Sequence, residues 1–193
     1  MYFSAESAEI SRFKRNDYVY FVIKGLLFLL LFAVVHQIYK WSPTDLKPYA
    51  ALISEVNESL YQHFKMGFVI WIMLLVLELL VFRKNIEDKN QFIFSRLATI
   101  LVLSWITFTF WNILPGITLN FTPSVEIELL WSFLATFLAG CTGAIFDFIF
   151  FRIKFNIETK LIIGVLLIIM YLQFIVYSFT NPPEWLFFQG PPE

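Results

Sequence analysis

What this chain has little of narrows its function first. One cysteine in 193 residues excludes an intramolecular disulfide, so the redox compartment cannot be read from cysteine usage. Charged residues make up 15% of the sequence, and its 14 lysines and arginines are scattered among short segments. Direct nucleic-acid binding needs a concentrated basic stripe, and there is none. GxSxG, P-loop, HExxH and paired-carboxylate motifs are all missing, as are the facing histidines of a haem or quinone site. The two histidines, His36 and His63, come without a clear third ligand. No enzyme activity, cofactor or metal is therefore expected. Internal repeats are lacking, which argues against an inverted-repeat transporter within one chain. The segments between apolar runs are too short to bury a soluble core.

What the chain does have is apolar surface. It is 59% hydrophobic with 24 phenylalanines and a mean hydropathy of +0.71, against about 45–50% apolar residues in soluble domains. Five apolar runs, at about 18–39, 64–82, 94–114, 129–151 and 161–179, each suit the roughly 20 residues that cross a bilayer. Arg12, Lys14 and Arg15 precede the first run. That run is too long for a signal peptide and no small-x-small cleavage pattern follows, so it reads as a retained anchor. The expected fold is an all-α integral membrane protein, a five-span helical bundle flanked by short tails at 1–17 and 180–193.

Lysine and arginine positions set the expected orientation. With the N-terminus cytoplasmic, the inner segments hold Arg12, Lys14, Arg15, Arg83, Lys84, Lys89, Arg96, Arg152, Lys154 and Lys160. The outer segments hold only Lys40, Lys47 and Lys65. Trp41, Trp111, Trp131 and Trp185 fall toward the outer interface, where amphipathic rings prefer to sit. The C-terminus is thus expected outside the cell, and the location to be a membrane of the bacterial inner type. The first outer segment reads as more than a loop. After Ser42-Pro43-Thr44-Asp45, a helix-start signal, Leu46, Tyr49, Ile53, Val56 and Leu60 recur at a spacing of three to four, which predicts an amphipathic helix lying on the outer face or extending the second span outward. Asn57-Glu58-Ser59 and Asn120-Phe121-Thr122 are glycosylation-type triplets on that side, at a frequency near chance.

Three ionisable residues lie inside the runs: Lys24, Glu78 and Asp147. They come from three spans yet share one level, roughly 7–9 Å from the inner end. Charges in hydrocarbon are costly unless paired or hydrated, so a shared level predicts pairing that fixes helix register, with one acid to spare. An ion or proton pathway and a gated switch are the competing readings. The fourth span orients Asp147. Ala135, Ala139, Gly143 and Asp147 form one stripe, and Ser132, Thr136, Gly140 and Ala144 form a second beside it. Small stripes let membrane helices approach closely, so Asp147 points into the protein. The fifth span has only Gln173 as a strongly polar side chain and is expected at the lipid-facing edge.

Ala139-Gly140-Cys141-Thr142-Gly143 resembles the small-residue surroundings of the nucleophile in the exosortase and archaeosortase membrane transpeptidases. The resemblance covers five residues and implies a catalytic Cys141. That family's partners are arginine and histidine on the outer side, whereas Arg152 lies at the inner end here and the histidines are distant in depth. A thiol in an apolar helix centre is usually inert packing. His36 ends one span and His63 begins the next on the same side, so they are placed to sense acid, or to hold a metal with Asp45 or Glu58.

Taken together, these residues predict a non-enzymatic membrane subunit: a scaffold, anchor or sensor. Its expected partners are membrane lipids, copies of itself or other subunits, and a cytosolic protein recruited by Arg83, Lys84, Lys89, Arg96, Arg152 and Lys154. In size and layout such a chain is comparable to membrane components of bacterial antiviral defence and to bacteriocin immunity proteins. The rival class is a channel or transporter subunit using the Lys24, Glu78 and Asp147 level. An intramembrane enzyme comes third.

Overall fold

The computed structural model describes residues 15–56, 59–117 and 124–180. The N-terminal tail with Arg12 and Lys14, the pair Asn57 and Glu58, the triplet Asn120-Phe121-Thr122 and the C-terminal tail with Trp185 lie outside them. Among the described residues all regular structure is helical: α1 (Arg15–Trp41), α2 (Lys47–Ile53), α3 (Leu60–Phe82), α4 (Lys89–Ile117), α5 (Val125–Phe151) and α6 (Ile157–Phe179). Five of these, all but α2, are long and apolar enough to cross a membrane. The chain is a multi-pass integral membrane protein.

The helices outrun the apolar windows because polar residues begin them. Ser59 accepts a hydrogen bond from the backbone N–H of Gln62 and caps α3. Asn156 does the same for α6 through Thr159, at 2.8 Å. Each such cap satisfies one of the orphan donors of a first turn. At the opposite end of α5 the final carbonyls are collected by Gln91 of α4, whose amide donates to Phe150 and Phe151 at 3.1 Å each and also to Ile153.

Four helices close into a square in which α1 touches α3 and α5, and α4 touches the same two. Helix α6 lies outside, against α3 and α4. Its span is only 17% buried, against 61% for α3. Gln173 is on its exposed side; its inner contacts are Tyr171 stacked on Phe68 and Phe174 edge-on to Tyr61.

The buried residues of each core helix recur every three to four positions, as one inward stripe requires. On α1 they are Phe21, Lys24, Phe28, Phe32 and Val35; on α3 they include Phe64, Trp71, Leu74 and Glu78. On α4 Arg96, Ile100, Leu103 and Thr107 follow the same period, and on α5 Ala135, Ala139 and Asp147. Because neighbouring helices run in opposite directions, equal levels pair early residues of α1 and α4 with late residues of α3 and α5. We call the end where α1 begins the lower end, and the end where it closes the upper.

The small residues on α5 are used within the chain. A Cβ on Gly140 would stand 2.9 Å from the Cα of Gly25 and from the Cβ of Phe28, so α1 and α5 meet almost backbone to backbone. One on Gly143 would stand 2.6 Å from the Trp71 ring; that glycine makes room for the tryptophan. Ala135, Thr136, Ala139, Gly140, Gly143 and Ala144 are all buried, and Ser132 is half-buried. The stripe is therefore filled by α1, α3 and α4.

The upper connection differs from the amphipathic helix expected there. Helix α2 covers seven residues, with Leu46 at its N-cap making no side-chain cap bond and a proline in its first turn. Its buried residues are Ala50 and Ala51, while Leu46 and Tyr49 are exposed. The small side face docks because the segment is pinned tightly. Ser54 donates to the Val35 carbonyl at 2.6 Å and accepts from the Tyr39 N–H at 3.2 Å, which ties the end of α2 to α1.

Candidate functional site

Two polar clusters occupy opposite levels of the square. The lower one gathers Lys24 of α1, Glu78 of α3 and Asp147 of α5. The ammonium of Lys24 donates to Glu78 Oε1 and to Asp147 Oδ2, both at 2.6 Å. Arg96 of α4 completes the set: its Nε donates to Glu78 Oε2 at 3.2 Å and lies 3.9 Å from Asp147 Oδ2. The Tyr20 hydroxyl donates to Glu78 Oε1 at 2.7 Å and the Trp71 indole to Asp147 Oδ1 at 3.4 Å. Every carboxylate oxygen thus has a donor. Two cations face two anions, one from each helix of the square, so no net charge is buried.

Arg96 departs from its expected place. It was assigned to the cytoplasmic basic surface, yet it is 7% exposed and lies over the Phe92 ring at 3.7 Å. An arginine one or two turns inside a helix can reach outward or inward; the acid at Glu78 draws it inward. It also supplies the second positive charge, so no acid is left to spare. Arg83, Lys84, Lys89, Arg152 and Lys154 are exposed at the lower end.

Above this level the square is mainly apolar, the buried hydroxyls of Thr99 and Thr107 bonding back to carbonyls of their own helix. Phe28, Ile70, Trp71, Leu74, Ile100 and Leu103 are all buried to 1% exposure or less, with Phe28 edge-on to Trp71 at 5.5 Å. Cys141 packs here against Gly25. It lies roughly 7.5 Å along α5 from Thr136, which reaches the histidine level through a hydrogen bond from Trp111 at 3.3 Å.

The upper cluster lies about 18 Å further along α1. His36 of α1 and His63 of α3 converge on Glu55, from the segment between α2 and α3. Glu55 Oε1 is 3.0 Å from His36 Nε2, and Oε2 is 3.3 Å from His63 Nε2. Lys40, half-exposed, is 3.6 Å from Oε1. Despite these distances neither carboxylate oxygen accepts a hydrogen bond among the described residues, and Glu55 is 2% exposed. His63 is held on its other side: Nδ1 lies 2.9 Å from the Ser59 carbonyl. Its ring stacks on Phe32 and sits 4.5 Å from the centre of Trp111. His36 Nδ1 is 3.1 Å from the side-chain amide of Gln37.

A cavity of ≈ 590 Å³ adjoins this cluster, lined by His36, His63, Trp111, Glu128, Ser132 and Thr136 among others. Glu55 is not in its wall. Nearby, Lys65 is fully buried and donates to the Ala51 carbonyl at 2.7 Å and to Ser178 at 2.9 Å, joining α3 to α2 and α6.

Several upper residues differ from their sequence reading. Asp45, offered as a ligand, is exposed on the turn before α2, and Glu58 lies outside the described residues. The carboxylate that meets the histidines is Glu55, whose polar character was visible but whose partner was not. Trp111, expected at the interface, is turned inward onto His63, whereas Trp41 is 71% exposed. Gly25, the counterpart of Gly140, drew no attention; an isolated glycine in an apolar span was its only signal.

No curated protein and no solved structure matches the chain. The sequence model of one family, described as a family of unknown function (DUF6512), matches residues 10–190. The chain, with its balanced lower cluster and its histidine–glutamate cluster above, belongs to that family.

Proposed function

We propose that this protein is a non-enzymatic subunit of a membrane complex, a scaffold or anchor that recruits a soluble partner. The observation that carries this reading is the closure of the lower cluster. Lys24, Glu78, Arg96 and Asp147 are consumed by one another, tying all four helices of the square at one level. Such a network suits a rigid frame. By the lysine and arginine distribution, the lower end faces the cytoplasm of a cell with a bacterial-type inner membrane. There Arg83, Lys84, Lys89, Arg152 and Lys154 form an exposed basic surface for an acidic protein or for anionic headgroups. A role in antiviral defence or immunity rests on similarity of size and layout alone.

A channel or transporter subunit is the second reading, favoured by one feature. A cavity of ≈ 340 Å³ lined by Asn85, Glu87, Phe92, Arg96 and Phe151 leads from the lower end to the cluster. The apolar layer around Trp71 then interrupts any path upward.

Reconstitution into liposomes separates the two. The scaffold reading expects proton and cation flux equal to that of empty liposomes. It also expects a partner that co-purifies in mild detergent to be lost when Arg83, Lys84 and Arg152 are changed to glutamate. Flux that Asp147→Asn abolishes overturns it, as does a lone monomer with no partner.

A further inference from the structure

We infer that His36, Glu55 and His63 form a binding site for a divalent transition-metal ion of the zinc class. This goes beyond the scaffold reading and does not depend on it. The three residues come from α1, the α2–α3 connection and α3, and their ligand-capable atoms all lie within 4.8 Å of one another. A single ion with ligand bonds of about 2.0–2.2 Å fits among donors so spaced.

Three features point to a cation rather than to chance proximity. First, Glu55 is buried to 2% exposure, yet among the described residues neither of its oxygens accepts a hydrogen bond. Buried carboxylates without hydrogen bonds are rare and costly, and a bound cation is a standard resolution. Second, the ring of His63 is set for ligation. A carbonyl only accepts, so the 2.9 Å contact with Ser59 makes Nδ1 the donor. In the neutral ring Nε2 is then the lone-pair atom, and it faces Glu55 Oε2 at 3.3 Å. Two lone pairs at that distance repel unless a proton or a metal ion stands between them. This backbone-anchored imidazole is the outer-shell arrangement that orients metal-bound histidines. Third, the amide beside His36 Nδ1 serves as donor or acceptor by rotating, so His36 Nε2 is also able to carry a lone pair.

The donor set defines the ion. Two imidazoles and one carboxylate are borderline ligands that favour zinc and its neighbours over calcium or magnesium, which prefer all-oxygen cages. Three protein ligands leave a coordination position for water or for a small anionic group. The adjoining cavity, with Ser132, Thr136 and Glu128 in its wall, is where such a group would enter.

The test uses the full chain with a histidine-free affinity tag, purified in mild detergent and stripped with a chelator. Zn²⁺ is titrated against a chromophoric chelator, with Mg²⁺ as control, and Co²⁺ is substituted for its visible spectrum. Expected are about one Zn²⁺ per chain, no competition by Mg²⁺, and the intense visible bands of four-coordinate Co²⁺. Glu55→Gln and His63→Ala are each expected to weaken Zn²⁺ at least ~10–100-fold, the loss typical of even an outer-shell change; Asp45→Asn leaves it unchanged. Zn²⁺ uptake no greater than that of protein-free micelles overturns the proposal and leaves a proton-linked His–Glu pair. Binding undiminished by Glu55→Gln overturns it too. If His63→Ala fails to fold, the wild-type Co²⁺ spectrum and Glu55→Gln decide, a weak six-coordinate spectrum counting against the site.

Discussion

The two polar clusters are built from the same residue classes and reach opposite states. At the lower level, two acids and two cations saturate one another, and each carboxylate oxygen has a donor. At the upper level, one acid faces two imidazoles at hydrogen-bonding distance without forming a hydrogen bond. The lower cluster joins four helices with nothing left over and is sealed above by Phe28, Trp71 and Leu103. The upper one joins α1 to α3 through an inserted segment; both clusters adjoin open volume, so the difference between them is saturation. Saturation marks a structural lock, because every charge is already spent on the fold. A buried carboxylate left without a hydrogen-bond donor marks a place where something else binds.

The contrast predicts opposite responses to similar substitutions. The largest effect is expected at the lock. Lys24→Met leaves Glu78 and Asp147 with one cation between them, and breaking a buried pair costs about 3–5 kcal/mol. Thermal unfolding in detergent should show this as a large drop in midpoint. Adding Asp147→Asn to Lys24→Met restores charge balance with Arg96 and should recover a substantial part. A double variant no better than the single would mean that geometry, not charge balance, governs the cluster.

A middle-sized effect is expected where α1 meets α5. Gly140→Leu drives a side chain into Gly25 and Phe28, and overpacking costs about 1–3 kcal/mol or more. A lower melting temperature with unchanged elution volume is expected, since the small stripe is filled within the chain. Loss of a larger assembly instead would show that this seam also serves between copies.

The smallest intrinsic effect belongs to Glu55→Gln. Among the described residues that buried carboxylate accepts no hydrogen bond, so removing its charge should leave the metal-free protein at least as stable as the wild type. The wild type should gain about 2.7 kcal/mol at a Zn²⁺ concentration 100 times its Kd, and the variant, binding ~10–100-fold more weakly, about 0.4–1.4 kcal/mol at that concentration. A Glu55→Gln protein that melts as early as Lys24→Met would erase the distinction between lock and site.

The sequence was most legible where the physics is local. Five spans follow from runs of apolar residues, and the inward face of α5 follows from the four-residue spacing that ends at Asp147. The common level of Lys24, Glu78 and Asp147 followed from counting along spans. Arg96 was harder, because an arginine near a helix end has outward and inward options separated only by what the neighbouring helix presents. Trp111 posed the same ambiguity; its indole found Thr136 and His63 rather than the interface. The α2 segment misled most, since its apolar spacing was real while docking was decided by Ser54 and the small side chains of Ala50 and Ala51.

By itself the sequence determined that this is a chain of membrane-crossing helices, which residues line the inward stripe of α5, and that charges within the spans need partners. Those properties depend on hydropathy and helical period, which a single segment carries. Only the tertiary structure decided which partners they found: that Arg96 balances the lower cluster, that Gly25 receives Gly140, and that Glu55 comes between two histidines. These are meetings between segments distant along the chain, and their energies depend on distance and desolvation that no local pattern encodes.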